Sequence, residues 1–190
     1  MNKPLNKRWW LSSFPSAALI VALVVFILLV IFILWAVFSR QSVIEVQTEG
    51  DSGFKGSGKT VCYFVEADFE LRWMHSVEKQ WWEEQYQRKD DGLLLTTTYF
   101  QAFGAGTPST EALAPIQKPG YLGYQIDEKL PKLNWVVSRL TKGELNYGDQ
   151  RILIHQWVPD YSEIAITPKA YSLMDRFKKD FCHELPSDGS

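Results

Sequence analysis

The polar residues that can carry chemistry are concentrated in one stretch of this chain, between Arg72 and Tyr86. The stretch contains one histidine, one serine, three glutamates and three tryptophans. A histidine beside carboxylates suits a divalent cation, or a base that a neighbouring acid orients. We expect a turn at Glu78–Gln80 to fold the later glutamates back toward the histidine. The candidate ligand-binding residues in this stretch are His75, Ser76, Glu78, Glu83 and Glu84.

A nucleophilic enzyme, such as a hydrolase, is the function that this stretch supports least. Ser76 adjoins His75, and neighbouring side chains of a strand point to opposite faces, so the pair does not make a Ser-His-Asp triad. One histidine without a cysteine cluster also argues against a structural zinc site. We therefore predict a protein that is not an enzyme and uses no metal or cofactor. A structural use stays open, in which Lys79 or Arg72 neutralises the glutamates in a rigid buried cluster.

The loop from Gly104 to Pro108 is a second site-like feature. Gly104, Ala105 and Gly106 permit a positive φ or a close backbone approach, and their amides can bind an anion such as a carboxylate. A tight turn after a strand needs the same glycines, so both uses stay open. If the loop faces His75 and Glu78, the three elements form one pocket for a small anionic solute.

The segment Gly53–Thr60 matches the nucleotide-binding pattern G-x-x-x-x-G-K-[ST] letter for letter. A P-loop needs a following helix whose N-terminal amides hold phosphate. Here Val61–Val65 follows, and its aromatic and β-branched residues predict a strand. We therefore interpret the segment as a Gly/Ser-rich turn and predict no nucleotide binding.

Short strand-like runs separated by Gly and Pro turns dominate the chain after this segment. Alternation from Phe69 to His75 places the histidine on the same face as Leu71 and Trp73. Asp91-Gly92 has the chemistry of a hairpin turn. The spacing predicts a mainly β fold, an antiparallel sandwich or barrel. The other predicted strands are Glu83–Arg88, Leu93–Phe100, Trp135–Leu140, Arg151–Trp157 and Glu163–Thr167.

The C-terminal segment predicts an amphipathic helix instead of a strand. From Lys169 onward, Tyr171, Met174, Phe177 and Phe181 recur three and four residues apart, with charged residues between them. Such a helix either covers an open edge of the sheet or lies on a membrane surface.

The segment Ala17–Phe38 contains no charged residue and predicts a transmembrane helix. At 1.5 Å per residue it spans roughly 33 Å, which is enough to cross a hydrocarbon core. A cleaved signal peptide is the alternative, but its apolar region covers only about 7–15 residues and ends at a small-x-small site. Because the segment is longer and ends at Ala36-Val37-Phe38, we predict a permanent anchor.

The distribution of basic residues predicts which side of the membrane each end of this helix faces. Lys3, Lys7 and Arg8 precede the span and Arg40 alone follows it closely, so the N-terminus is expected in the cytoplasm and the rest outside. Residues from Gln41 onward carry a net charge of −6, because four of the 20 basic residues and none of the 22 acidic residues precede it. A mildly acidic domain gives no sign of nucleic-acid binding.

These patterns divide the chain into five parts. Residues 1–16 form a cytoplasmic N-terminus, 17–38 the transmembrane helix, and 39–60 a linker with a first strand or turn. Residues 61–168 form the β-rich domain, and 169–190 the C-terminal helix and tail.

Cys62 and Cys182 are the two cysteines of the sequence. In an oxidising compartment outside the cytoplasm, an even number of cysteines suggests a disulfide, here one that pins the C-terminal helix to the first core strand. Two free thiols are the open alternative.

Two separated motifs resemble the DUF1850 family. The first is His75-Ser76-Val77-Glu78-Lys79, followed by the acidic pair Glu83-Glu84; the second is Phe100-x-x-Phe103-Gly104-Ala105-Gly106-x-Pro108. Their order and spacing both fit, and the similarity is expected over Cys62 to Thr167. The bulky Trp81-Trp82 pair and the long C-terminal extension depart from the family pattern.

The resemblance implies a setting and a partner, without implying a reaction. DUF1850 proteins look like small bacterial membrane-anchored or extracytoplasmic proteins that accompany the membrane subunit of TRAP transporters with TAXI-type solute-binding proteins. We therefore expect an accessory subunit in the bacterial inner membrane, with a periplasmic domain that binds the transporter's membrane subunit or its solute-binding protein. The alternative is an extracytoplasmic module that binds a small anion or a divalent metal.

Overall fold

The computed structural model describes residues 16–49, 59–104, 106–108 and 110–185. The predictions made for Gly53–Gly58, for Ala105, for the basic N-terminus and for the tail after Leu185 lie outside these residues. The chain forms two compact units, Met1–Ser39 and Arg40–Ser190.

The first unit contains one helix, α1, from Ser16 to Phe38. Within it, the 22 residues Ala17–Phe38 are long and apolar enough to cross a membrane. Their length and composition fit a membrane span or a signal anchor.

The second unit contains two antiparallel sheets. In the described residues one sheet has the strand order β2-β1-β10-β7, and the other has the order β6-β5-β4-β3-β8-β9. The strands are β1 (Gln41–Glu49), β2 (Thr60–Phe64), β3 (Asp68–Met74), β4 (Trp81–Lys89), β5 (Gly92–Phe100), β6 (Leu122–Leu130), β7 (Leu133–Val137), β8 (Glu144–Tyr147), β9 (Gln150–Ile152) and β10 (Ser162–Tyr171). Helix α2 (Leu173–Lys178) follows β10.

The two sheets enclose one main hydrophobic core, which confirms the prediction of a mainly β, sandwich-like fold. Ile44 and Ile166 of the four-stranded sheet and Leu71 and Leu145 of the six-stranded sheet are all buried in it. Removing each such side chain from water contributes about 1.5–3 kcal/mol. Alternation along each strand therefore decides which residues face this core and which lie on the outer faces.

The second unit has two ends, which we call the tethered end and the distal end. At the tethered end Gln41, the first residue of β1, pairs with Tyr171, the last residue of β10. At the distal end Glu49 pairs with Glu163. The end of β3 also lies there, because the Met74 amide donates to the Thr141 carbonyl just beyond β7. Ten residues of β10 separate the two ends by roughly 30 Å.

Several element boundaries differ from the sequence predictions. Strands β6 and β8 were not predicted, and β1 occupies much of the presumed linker. The predicted strand Trp135–Leu140 ends at Val137, where a turn begins. The predicted strand Arg151–Trp157 ends at Ile152, and a 3-10 turn over Ile154–Gln156 replaces its second half.

The predicted start of the C-terminal helix at Lys169 is wrong, because β10 continues to Tyr171. The cause is a buried carboxylate on β1. Glu45 accepts hydrogen bonds from the Lys169 ammonium group and the Tyr171 hydroxyl on the outer face of the four-stranded sheet. Burial acts to raise the pKa of Glu45, but these bonds outweigh it and the pKa is lowered. The pairing of β10 with β1 thus outweighs the local helical spacing.

A disulfide joins Cys62 of β2 to Cys182, which begins a 3-10 turn after α2. The two Cα atoms lie 4.7 Å apart, and the bond spans a sequence separation of 120 residues. Both cysteines are fully buried. The bond ties the segment that follows α2 to the four-stranded sheet.

Candidate functional site

A tight turn, His75–Gln80, joins β3 to β4 at the distal end. The His75 amide donates to the Gln80 carbonyl at 2.8 Å, and the Lys79 amide donates to the His75 carbonyl at 3.1 Å. Lys79 adopts a left-handed conformation with φ 56°. The turn predicted at this position therefore exists, and it exposes Ser76 and Val77 to solvent.

An aromatic row on the inner face of the six-stranded sheet positions His75. Trp73 pairs with Trp82 across β3 and β4, and their rings stack with centroids 6.0 Å apart. The His75 ring also stacks on Trp82, with the ring centroids 5.6 Å apart. Trp82 also contacts Phe100 of β5 and donates its indole N–H to Thr98 Oγ1 at 2.7 Å.

Glu78 and Gly104 close the site around this histidine. His75 Nδ1 contacts Glu78 Oε2. The Glu78 side chain lies directly against Gly104, where any Cβ atom would collide with the carboxyl group. The Gly104–Pro108 loop therefore meets His75 and Glu78, and a side chain at position 104 would displace the carboxylate.

The space enclosed by these residues is very small. The cavity lined by His75, Glu78 and Gly104, together with the neighbouring aromatic residues, has a volume of about 10 Å³. A single water molecule needs about this much space. A dicarboxylate does not fit in it, and His75 and Glu78 provide two candidate metal ligands, fewer than the three to four that bind zinc. The described residues contain no group of three or more His, Cys, Asp or Glu side chains arranged for a metal ion.

The loop does not offer its Gly104 amide to a ligand, as the anion-binding interpretation requires. That amide points to Thr107 Oγ1 at 3.4 Å, and the Thr107 hydroxyl donates to the Gly104 carbonyl at 2.9 Å. The Thr107 amide donates to the same carbonyl at 3.3 Å, which closes a turn. Gly106 has φ +84° within it, a conformation that favours glycine.

Glu83 does not join His75, contrary to our expectation. It pairs with Arg72 across β3 and β4 and lies on the outer face of the sheet, because it is one residue beyond the inward-facing Trp82. Arg72 Nε donates to Glu83 Oε1 at 3.1 Å, and Lys118 donates to Glu83 Oε2 at 2.6 Å. Arg72 therefore neutralises Glu83, which is the arrangement of the structural alternative that the sequence left open.

A larger ion-pair network surrounds Glu83 on this outer face. Arg72 also reaches Glu144 Oε2 at 3.3 Å, and Arg151 donates twice to the same carboxylate, at 3.0 and 2.7 Å. Lys118 donates to Glu70 Oε2 at 2.8 Å. Three carboxylates thus share three cations, and Glu83 and Glu144 are both buried. We call these six residues the outer network.

The outer network is covered by the segment that joins β5 to β6. Tyr99 of β5 donates its hydroxyl to the Ile116 carbonyl at 2.8 Å, and the Lys118 ammonium group lies 4.7 Å from the Tyr99 ring centroid. No sequence pattern pointed to Lys118 or Glu144, because neither belongs to the Arg72–Tyr86 stretch. The arrangement is a structural cluster in which every charge has an opposite neighbour.

Glu84 is on the inner face but away from His75. It pairs with Leu71 and accepts a hydrogen bond from the Tyr86 hydroxyl. Burial and the nearby Glu128 carboxylate raise the pKa of Glu84, although the Tyr86 hydrogen bond opposes them. The surroundings of Glu84 therefore disfavour its ionised form, and the residue is separate from both His75 and Glu83.

Replacing Glu84 with glutamine is expected to stabilise the domain at neutral and alkaline pH. The pKa of the Glu84 carboxyl is higher in the folded state than its ordinary value of 4.5, so protonation of Glu84 stabilises the fold at pH values below 4.5. This stabilisation is lost as the pH rises through the folded-state pKa. The glutamine keeps an acceptor for Tyr86 but carries no charge. Thermal unfolding measured from pH 4 to pH 8 should therefore show an advantage for Glu84→Gln that grows with pH. Glu128→Gln, which removes only the repelling neighbour, should give a smaller gain, and an advantage that does not change with pH would contradict the assignment.

A wider cavity lies elsewhere at the distal end. It has a volume of about 580 Å³ and is lined by residues that include Arg139, His155 and Asp160. Arg139 is already paired with Asp160 through its backbone amide and its guanidinium group, at 2.7 and 2.8 Å. The His155 ring nitrogen Nδ1 lies 3.0 Å from the Gly143 carbonyl. No sequence pattern marked these residues as a site, and His155 was expected within a strand.

Comparison with protein families gives one match, to the domain of unknown function DUF1850, over residues 69–154. The matched range covers 86 of the 190 residues. The match confirms the resemblance carried by the two motifs, although its range is narrower than the expected Cys62 to Thr167. Comparisons with curated proteins and with solved structures give no match.

The DUF1850 range contains the site but not the whole sandwich. It includes all six strands of the six-stranded sheet, both motif loops and β7. The strands β1, β2 and β10 of the opposite sheet lie outside it. The two motifs of the DUF1850 pattern meet at the contact between Glu78 and Gly104.

Proposed function

We propose that this protein is a membrane-anchored accessory subunit of a TAXI-type TRAP transporter in the bacterial inner membrane. Helix α1 is the anchor, the N-terminus lies in the cytoplasm, and the DUF1850 domain lies in the periplasm. The distal end of that domain binds the transporter's membrane subunit or its solute-binding protein. The charge asymmetry around α1 and the resemblance of the two motifs support the topology and the class of partner.

The observation that carries this proposal is the surface formed by the His75–Gln80 turn and the loop that begins at Phe103, which we call the tip: it encloses no solute-sized space and exposes two large apolar side chains. The contact between Glu78 and Gly104 fills the space between the loops and leaves no room for a solute. On the outside of the same loops, Val77 is 73% exposed and Phe103 is 61% exposed. Large exposed apolar side chains held on a rigid support are typical of protein-binding surfaces.

Aromatic side chains of the core pack behind this tip and hold it in place. The Phe103 ring packs edge-on against Phe100 at 5.5 Å, and Phe100 stacks on Tyr124 at 5.8 Å. Phe100 is buried and also contacts Trp82. These contacts restrain the Phe103 side chain, which lowers the conformational entropy that a partner has to remove on binding.

A partner of a periplasmic domain needs a surface on the periplasmic side of the membrane. A soluble solute-binding protein presents such a surface directly, and a membrane subunit does so through its periplasmic loops. Separate experiments with each subunit therefore identify which of them binds.

Co-purification with the transporter subunits in a mild detergent tests the proposal. The full chain should retain the solute-binding protein or the membrane subunit on an affinity resin. Replacing Val77 and Phe103 together with aspartate should weaken binding by at least about tenfold, which corresponds to 1.4 kcal/mol. The reason is that two charges would be desolvated at the centre of the interface.

Val65→Asp is the matched control, since Val65 is an exposed valine that follows β2 toward the tethered end. This variant should bind like the unaltered chain. Near-ultraviolet circular dichroism checks that each variant keeps its packed aromatic residues. Repeated failure of the unaltered chain to bind either subunit would overturn the proposal.

A further inference from the structure

Helix α2 exposes a pair of large apolar side chains at the tethered end. Phe177 is 79% exposed and Met174, one turn earlier, is 56% exposed. Residues three apart lie on the same face of a helix, so the two side chains form one strip. Ser172 and Asp175 form a capping box that fixes where the helix starts. The strip is therefore held in a defined position and is not covered by the described residues.

Two contacts hold α2 beside the start of β1. Arg176 donates from its guanidinium group to Gln41 Oε1 at 2.7 Å. The Tyr63 hydroxyl of β2 donates to the Arg176 carbonyl at 3.5 Å. Only Ser39 and Arg40 separate Gln41 from the end of α1, so the chain between Phe38 and Gln41 extends at most about 11 Å.

The segment that carries this strip is basic by two charges, although Glu45 on β1 offsets one of them. Residues 169–180 contain four basic and two acidic side chains, whereas the chain from Gln41 onward is acidic overall. Lys169 and Lys179 both lie near Glu45, and Lys178 is exposed beside Phe177. An apolar strip with flanking lysines matches the chemistry of an anionic bilayer surface, which offers acyl chains below and phosphate groups above.

We propose that α2 is a second membrane contact, in which Phe177 and Met174 enter the boundary between headgroups and acyl chains and Lys178 faces anionic headgroups. This inference rests on the membrane anchorage by α1 in the proposed function. A helix this short binds a bilayer weakly by itself. The short connection to α1 keeps α2 at a high effective concentration near the surface, so a weak contact is populated.

Spin-label accessibility in the full chain tests this contact. The chain is reconstituted in nanodiscs that contain phosphatidylglycerol and phosphatidylcholine, without reductant, and carries one added cysteine at a time. A label on Met174→Cys should be more accessible to oxygen, which partitions into the bilayer, than to a water-soluble nickel complex. Its oxygen-to-nickel ratio should exceed that of Val77→Cys, at the distal end, several-fold. Adding Phe177→Ser or Lys178→Glu should lower the ratio, and so should nanodiscs of phosphatidylcholine alone.

A label on Leu28→Cys, in the middle of α1, separates the two ways in which this inference can fail. If Leu28 is embedded and Met174 is as accessible to nickel as Val77, the second contact is overturned and the anchorage stands. If Leu28 is itself accessible to nickel, both the anchorage and the contact are overturned. An unchanged Met174 ratio after Phe177→Ser would also overturn the contact, because the phenylalanine would then contribute nothing to it.

Discussion

Replacing Cys62 and Cys182 with alanine is expected to lower the free energy of unfolding by about 4–5 kcal/mol in the chain-entropy model. The large effect follows from the 120-residue separation of the two cysteines, since a long cross-linked loop restricts the unfolded chain strongly. Urea unfolding of the full chain in detergent micelles, followed by near-ultraviolet circular dichroism, measures the change.

Reduction of the unaltered protein is the control for this prediction. Treatment with a thiol reductant in the presence of urea should lower the midpoint to that of the double-alanine variant, and it should leave the variant unchanged. Mapping of the non-reduced protein by mass spectrometry should find one peptide pair joined through Cys62 and Cys182. Two free thiols in the folded protein would reject the bond.

Replacing Arg72 with methionine is expected to destabilise the fold by about 3 kcal/mol, at the low end for breaking a buried ion pair. Methionine keeps much of the packing of the arginine stem but leaves Glu83 and Glu144 buried with one cation fewer each. The effect is at the low end because Lys118 still contacts Glu83 and Arg151 still contacts Glu144. The same urea unfolding experiment measures it.

Arg139→Met is the matched control, because Arg139 forms its ion pair with Asp160 in an exposed position. Exposed pairs contribute little, so this variant should unfold close to the unaltered chain. Combining Arg72→Met with Glu83→Gln should recover part of the lost stability, since one buried charge is removed with its partner. If Arg72→Met behaved like Arg139→Met, the outer network would have no stabilising role.

The sequence predicted best the parts of the fold that depend on local periodicity. Alternation along β3 assigned Leu71 and Trp73 to the core face, and the Asp91-Gly92 pair marked the hairpin between β4 and β5. The closeness of His75 and Glu78 also followed from the sequence, because the two residues are three apart on a turn.

The errors arose where distant segments decide the structure. Lys118 and Glu144 reach Glu83 only through the covering segment and the β3–β8 pairing, which no local pattern reveals. Lys169 lies in a strand because β1 provides Glu45 as its partner. The error for Glu83 has a different cause, because a local pattern does assign its position. Glu83 is adjacent to Trp82 on β4, and neighbouring residues of a strand face opposite sides. Counting residues through the hairpin from Trp73 therefore assigns Glu83 to the outer face.

The pairing of β1 with β10 has a consequence for how this protein folds after synthesis. The central pair of the four-stranded sheet joins strands from the two ends of the domain, with Gln41 opposite Tyr171. β1 therefore leaves the ribosome long before β10, its partner in the sheet, has been synthesised. Long-range strand pairs of this kind give a high contact order and slow folding. The six-stranded sheet alone would also leave its inner face, including Leu71 and Leu145, exposed to water. Folding of this domain is therefore completed only after its last strand has been translated.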